Sequence, residues 1–160
     1  MKTSPHLIAA GILAAALALA LPHSPVLAMG SDSGVVKSES DYDKAVKAVK
    51  AEKYKDAIPL LQKAIDQDPK NANAWNYLGY SQRKTGQLDA ALKSYTSALQ
   101  IDPNHKGAHE YLGELYLMTD NLPKAEELLK KLAALCNGCD ERKELEKAVA
   151  TYKKAKGISS

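Results

Sequence analysis

Residues 72–105 read ANAWNYLGYSQRKTGQLDAALKSYTSALQIDPNH, and the rest of the chain can be laid against this stretch at a fixed step. Pro69 and Pro103 are 34 residues apart, as are Ala64 and Ala98, and Gly79 and Gly113. Ala57, Ala91 and Ala125 form a series of three at the same step. A period of this size marks a stacked array, in which each unit is one supersecondary element that cannot bury its apolar face alone. Within the stretch, Leu88, Ala91, Leu92, Tyr95, Ala98 and Leu99 recur at helical spacing and form one apolar face. Gly79, Ala91 and Ala98 are small, which lets two helices cross closely. Gly86 falls at the turn between them. Asp102-Pro103 ends the second helix, because Pro disfavours the helical conformation in the residue before it.

The pattern resembles the tetratricopeptide repeat. Trp75, Leu78 and Gly79 match that family's first-helix signature, and Ala91, Tyr95, Ala98 and Pro103 its second; Gln82 departs from the usual Tyr. A further copy, 106–139, keeps Leu112, Gly113, Tyr116 and Ala125. There His109 replaces the Trp, Leu132 the small residue and Asn137 the Pro. The first copy, 38–71, fits in its second helix through Ala57, Leu61, Ala64 and Pro69, but its first helix lacks the Trp-Leu-Gly triplet. Terminal units of an array are often atypical, because one face meets water. The resemblance implies an all-α fold: a right-handed superhelical solenoid of about three helix pairs. Pro123 should open a helix, where its missing N–H costs nothing. Pro59 should lie near the first turns of one, with at most a mild kink. Residues 140–156 should form a capping helix, with Asp140 and Glu141 at its positive end and a stripe of Leu145, Ala148, Val149 and Tyr152. A free amphipathic helix for membrane contact is the minor alternative for this segment.

Outside the array, Lys2 precedes an apolar run from Leu7 to Leu21, which Pro22 breaks; Val26-Leu27-Ala28 then offers residues that a signal peptidase reads. Residues 1–28 are therefore expected to be a cleaved signal peptide, 29–39 a flexible leader and 40–156 the repeat domain, in the periplasm or secreted. The apolar run would span only about 22 Å as a helix, short of a bilayer core, which argues against the alternative of an uncleaved anchor; no stable membrane insertion is expected once the signal is removed. Of the 160 residues, 22 are Lys or Arg and 19 Asp or Glu, a formal charge of +3 that falls to +2 without Lys2. The two signs alternate with no basic block, which argues against nucleic acid.

In the family, ligands contact the first helix of each repeat on the concave face. Carried over position by position, this implies a protein-binding groove of Asn73, Asn76, Tyr80 and Arg83 with Glu110, Glu114, Leu117 and Met118. Asn and Arg could bond a peptide backbone or carboxylate, and Tyr80 could pack on an apolar residue. The family's clamp for acidic C-terminal peptides is not expected, since Tyr77 and Gly107 stand where it needs polar or basic groups. Trp75 takes a packing position.

The only cysteines, Cys136 and Cys139, flank Asn-Gly, which is turn-forming chemistry. A structural disulfide tying the cap to the last repeat is one reading. Redox work is another, although Cys136 follows a helix where thioredoxin-type sites place the first Cys before one. Half of a metal site, completed by a partner, is the third. Haem attachment would need His where Asp140 stands. His105 and His109 are spaced i, i+4, yet capping and packing suit them better than metal. No phosphate loop, Ser-His-Asp pattern or paired carboxylates present themselves, so neither an enzyme nor a cofactor is expected. The expectation is a scaffold for a protein or peptide partner, with self-association through an exposed end as a further possibility. The alternative is a thiol-disulfide or metal-handling assembly factor.

Overall fold

The computed structural model describes residues 39–158, and the expected signal peptide and most of the leader lie outside them. Seven α-helices account for the regular structure of the described residues: α1 (Asp41–Lys50), α2 (Tyr54–Gln67), α3 (Ala72–Lys84), α4 (Leu88–Ile101), α5 (Lys106–Met118), α6 (Leu122–Leu135) and α7 (Asp140–Lys156). Each packs on its neighbours in sequence, with lighter contacts between α1 and α3 and between α3 and α5. This is an all-α solenoid of three helix pairs and a capping helix.

The helix ends follow local chemistry. Ser40 Oγ accepts the Asp43 amide at the start of α1, Asn71 Oδ1 the Ala74 amide at α3, and His105 Nδ1 the Ala108 amide at α5. These contacts satisfy N–H groups that have no partner within the helix. Asp68 and Asp102, one period apart, cap the C-termini of α2 and α4 and accept the Lys70 and Asn104 amides. Pro59 lies inside α2 without ending it, and Pro123 sits in the first turn of α6.

The turns inside the three pairs share one backbone conformation. Glu52, Gly86 and Asp120, again one period apart, all have positive φ, at 58°, 81° and 55°. Only the middle repeat uses Gly there, the residue that adopts this conformation without steric cost.

Tyr95, Leu61, Leu132 and Leu145 are fully buried, each burial stabilising the fold by about 2 kcal/mol. Gly79 lies under the Tyr95 ring, so closely that a Cβ there would stand 2.7 Å from Tyr95 Cδ1. Small size at this crossing is what allows α3 and α4 to meet. The corresponding Gly113 is covered from another direction: a Cβ there would stand 2.6 Å from both Leu145 methyls, which come from α7. The capping helix thus rests chiefly on α5, with less contact to α6. Its buried residues are Leu145 and Val149. One period beyond His109, Leu112 and Gly113 stand Lys143, Glu146 and Lys147, all exposed. α7 is therefore out of step with the first helices of the repeats, and its outer face is charged.

Candidate functional site: the groove between α3, α5 and α7

Arg83, near the end of α3, organises the site. Its guanidinium meets Glu114 of α5 at 2.7 Å, its Nε donates to the Tyr95 hydroxyl at 3.4 Å, and its Nη1 lies 3.8 Å from the Met118 sulfur. It also stands 5.4 Å and 5.7 Å from the ring centres of Tyr80 and Tyr111, within range for cation–π attraction. Tyr80 and Tyr111 pack at 4.8 Å between centres, and Tyr54 meets Tyr80 edge-on at 5.7 Å. Tyr95 reaches the same stack through Tyr111 at 6.3 Å. Burial pushes the phenols of Tyr95 and Tyr111 well above the usual range, so both stay protonated and serve as uncharged walls.

Beyond Arg83 a depression of about 510 Å³ opens between α3, α5 and α7. Leu117, Met118, Ala148 and Tyr152 supply its apolar surface; Arg83, Glu114, Glu144, Lys147 and Thr151 its polar edge. Met118 is 54% exposed, the most accessible large apolar side chain among the described residues. The α7 wall is fastened at its far end, where the Tyr152 hydroxyl donates to Asp120 at 2.9 Å and Lys156 pairs with the same carboxylate at 2.7 Å. Lys153 reaches Glu126 on α6 at 2.6 Å. A second depression, about 530 Å³, lies at the turn end of the array beside Tyr54 and Lys84.

Of the groove residues expected from sequence, Tyr80, Arg83, Glu114 and Met118 come together here. Asn73 is exposed but engaged: His105 accepts from Ala108 through Nδ1, so its Nε2 carries the proton and donates to Asn73 Oδ1 at 3.1 Å. Three others lie deeper than the groove reading expects. Asn76 is 5% exposed and faces Gly107 on the next repeat, with its Oδ1 unpaired. Leu117 packs into the cluster of Leu145 and Val149 under α7. Glu110 is buried too, close to Glu141 and Glu144 of α7. Asn76 and Glu110 are turned into the protein, whereas Leu117, at 9% exposure, still lines the depression. Arg83 lines the depression while also holding Glu114, Tyr95 and Met118. Tyr54, Tyr111 and the α7 residues Lys147 and Tyr152 were missed, although the aromatic spacing along the first helices hinted at Tyr111.

Glu110 carries the site's main electrostatic tension. Burial first, then the charges of Glu114, Glu141 and Glu144, raise its carboxyl to about 8, against a lowering by Arg83.

Cys136 and Cys139 are joined by a disulfide, with their Cα atoms 5.8 Å apart. Cys136 is the C-cap of α6 and Cys139 the N-cap of α7. One period earlier these positions are held by Asp102 and His105, which close the same junction with hydrogen bonds. The covalent bond thus stands where the other repeats use polar capping. No group of His, Cys, Asp and Glu able to hold a metal ion occurs among the described residues.

Comparison with known proteins agrees with this geometry. Two family profiles described as Tetratricopeptide repeat match residues 42–106 and 82–139, which together run without a gap through the array. The human Superkiller complex protein 3 is 26% identical over 99 residues, covering 60% of this chain but 6% of that protein. Protein FlbA of Caulobacter vibrioides is 30% identical over 84 residues, 52% of this chain and 14% of that one. The chain therefore spans a small fraction of the curated relatives it matches. Among solved structures, the Yersinia enterocolitica type III secretion chaperone SycD in complex with a peptide of the translocator YopD superposes with a TM-score of 0.62 at 26% identity, covering 72% of this chain and 88% of that one. The second TPR domain of human RPAP3 in complex with an HSP70 peptide gives 0.64 at 21%, covering 71% and 92%, a likeness of fold alone. With the period, the small-residue crossings and both profiles in agreement, this chain belongs to the tetratricopeptide-repeat family.

Proposed function

We propose that this protein is a non-catalytic scaffold of the cell envelope that holds a peptide or partner helix in the groove between α3, α5 and α7. The observation that carries the reading is the solvent-open depression beside Met118. It offers an apolar floor between rigid helices and no residues arranged for bond-making chemistry. The SycD chaperone, which shares the fold at 26% identity, was solved with a translocator peptide, and that supports a peptide ligand. The N-terminal apolar run and the disulfide at the α6–α7 junction support export, since disulfides persist in oxidising compartments.

A photo-reactive benzoylphenylalanine at position 118 tests the groove. It should cross-link a partner in intact cells, while the same group at Lys131, on the exposed side of α6, should not. Equal labelling from both positions would remove the groove from the account. Fractionation with N-terminal sequencing tests the location: the chain should be recovered outside the cytoplasm, beginning at or near Met29. The thiol-handling alternative has less behind it, because Cys136 and Cys139 occupy capping positions that the other repeats fill without thiols.

A further inference from the structure

Sulfur is scarce in this protein. Its two cysteines are already joined as Cys136–Cys139, and of its three methionines Met118 alone lies among the described residues. No free cysteine occurs there, so the Met118 thioether is the sulfur left open to oxidation in the folded array. It is 54% exposed, and a small oxidant reaches it from solvent. It also belongs to the floor of the depression, with Leu117, Ala148 and Tyr152. A hydrogen-bond donor already faces it: Arg83 Nη1 stands 3.8 Å from the sulfur. A thioether is a weak acceptor, so this contact contributes little as it stands. A sulfoxide oxygen accepts far better. The 3.8 Å separation leaves room for one S–O bond and one N–H···O contact of about 2.9 Å, meeting at a bent angle. Arg83 is itself held by Glu114 at 2.7 Å and by Tyr95, so the donor keeps its place when the sulfur changes.

Resting on the groove reading above, we propose that Met118 is an oxidation site through which a peroxide turns the groove floor from apolar to polar and releases a bound apolar side chain. A sulfur lone pair attacks one peroxide oxygen, and the S–O bond forms as the O–O bond breaks. The sulfur gives up two electrons and the peroxide gains them. The proton on the transferred oxygen passes to the departing hydroxide, which leaves as water. Arg83 Nη1 then donates to the new oxygen and fixes it at the floor. An apolar residue settling on Met118 would have to strip water from the oxygen's remaining lone pairs, where before oxidation it meets only a thioether. Occupancy of the groove therefore follows the oxidation state of one atom, while the buried core of the array is untouched.

The test uses the full disulfide-bonded chain, hydrogen peroxide, and a fluorescein-labelled leucine-rich decapeptide as the groove probe. Peptide mapping should find one added oxygen at Met118 under treatment that oxidises free methionine. In the treated chain the side-chain NMR signal of Arg83 should shift, and its Nη protons should exchange with water more slowly. Fluorescence anisotropy should show the peptide binding about tenfold more weakly after treatment, the scale of burying a polar group against an apolar one. Met118→Leu has an apolar floor without an oxidisable sulfur. Whatever its starting affinity, that value should be the same before and after treatment, which separates Met118 from the chain's other methionines. No oxygen at Met118, or an unmoved Arg83 signal, would overturn the site. Equal peptide affinity before and after oxidation, or an equal loss in Met118→Leu, would overturn the switch while leaving the groove as a peptide site. Failure of the peptide to bind even the untreated chain at about millimolar concentration, the weak end of specific recognition, would overturn the groove reading and the release with it. Oxygen uptake and the Arg83 shift would then decide the modification site by themselves.

Discussion

Trp75 and His109, one period apart on α3 and α5, make the same hydrogen bond. Trp75 Nε1 donates to the Pro69 carbonyl at 3.0 Å, and the His109 ring pairs through Nε2 with the Pro103 carbonyl at 2.9 Å. A carbonyl can only accept, so His109 carries its proton on Nε2, and its buried Nδ1 is left without a partner. The imidazole on α5 supplies the same N–H that the indole supplies on α3, tying these two first helices to the turns before them. His109→Phe retains a ring but not the donor, and should lower stability by about 1 kcal/mol in urea unfolding.

The two helix crossings predict different failures from one chemical change. Gly79→Ala places a methyl against the body of the Tyr95 ring, which is fully buried and has nowhere to move. It should cost about 1–3 kcal/mol of global stability. Gly113→Ala instead meets Leu145 and should lift α7. Hydrogen exchange should then rise first in residues 140–156, before the repeats loosen.

The left-handed turns offer a stabilising change. Glu52 holds a φ of 58° at the position where the middle repeat has Gly86. Glu52→Gly relieves a conformation that costs a side-chain-bearing residue about 1–2 kcal/mol. Part of that returns as lost chain entropy, so the midpoint should rise by the equivalent of roughly 0.5–1 kcal/mol. Asp120→Gly should gain less or lose, because the Asp120 carboxylate also anchors Tyr152 and Lys156.

Loss of the disulfide should be partly repairable. Cys136→Ser with Cys139→Ser should lower stability by about 2 kcal/mol on the loop-closure relation, with exchange rising first in α7. Cys136→Asp with Cys139→Asn installs the residues found at Asp68 and Asn71, which cap the same junction in the first repeat. This pair should recover part of the loss, read as the thermal midpoint relative to the double-serine variant.

Glu110 makes stability fall with rising pH. Its folded carboxyl titrates near 8 against an unfolded value of 4.5, so the folded state holds the proton more tightly. The contribution is fully present below the unfolded value and is lost as pH rises through the folded one. The unfolding free energy from urea titrations should decline between pH 5 and pH 8 by about 2 kcal/mol, the full shift being discounted for residual solvation. Glu110→Gln should flatten that decline and raise stability at pH 8.

The array was legible because its evidence is local and repeated. Trp75, Gly79, Tyr95 and Pro103 each state a packing or stop requirement, and the same step recurs along the chain. Gly86 announced its turn, whereas Glu52 and Asp120 hid theirs, since tertiary packing can hold an unfavourable backbone that composition does not reveal. The site was less legible for a similar reason. Leu145 and Val149 show which side of α7 is apolar, but not which helix receives it. Once α7 rests on α5, Glu110 and Leu117 pass from the groove's surface into its wall, and no single repeat's sequence contains that outcome. Arg83 was found by position, yet its capture by Glu114, Tyr95 and Met118 required contacts across three helices.

The out-of-step seating of α7 has a consequence for growth of the stack. A further helix pair, whether from this chain or another copy, would need apolar residues where Lys143, Glu146 and Lys147 stand exposed. Burying those charges without partners would cost more than the contact returns. Stacking on α7 in the repeats' own register is therefore energetically disfavoured.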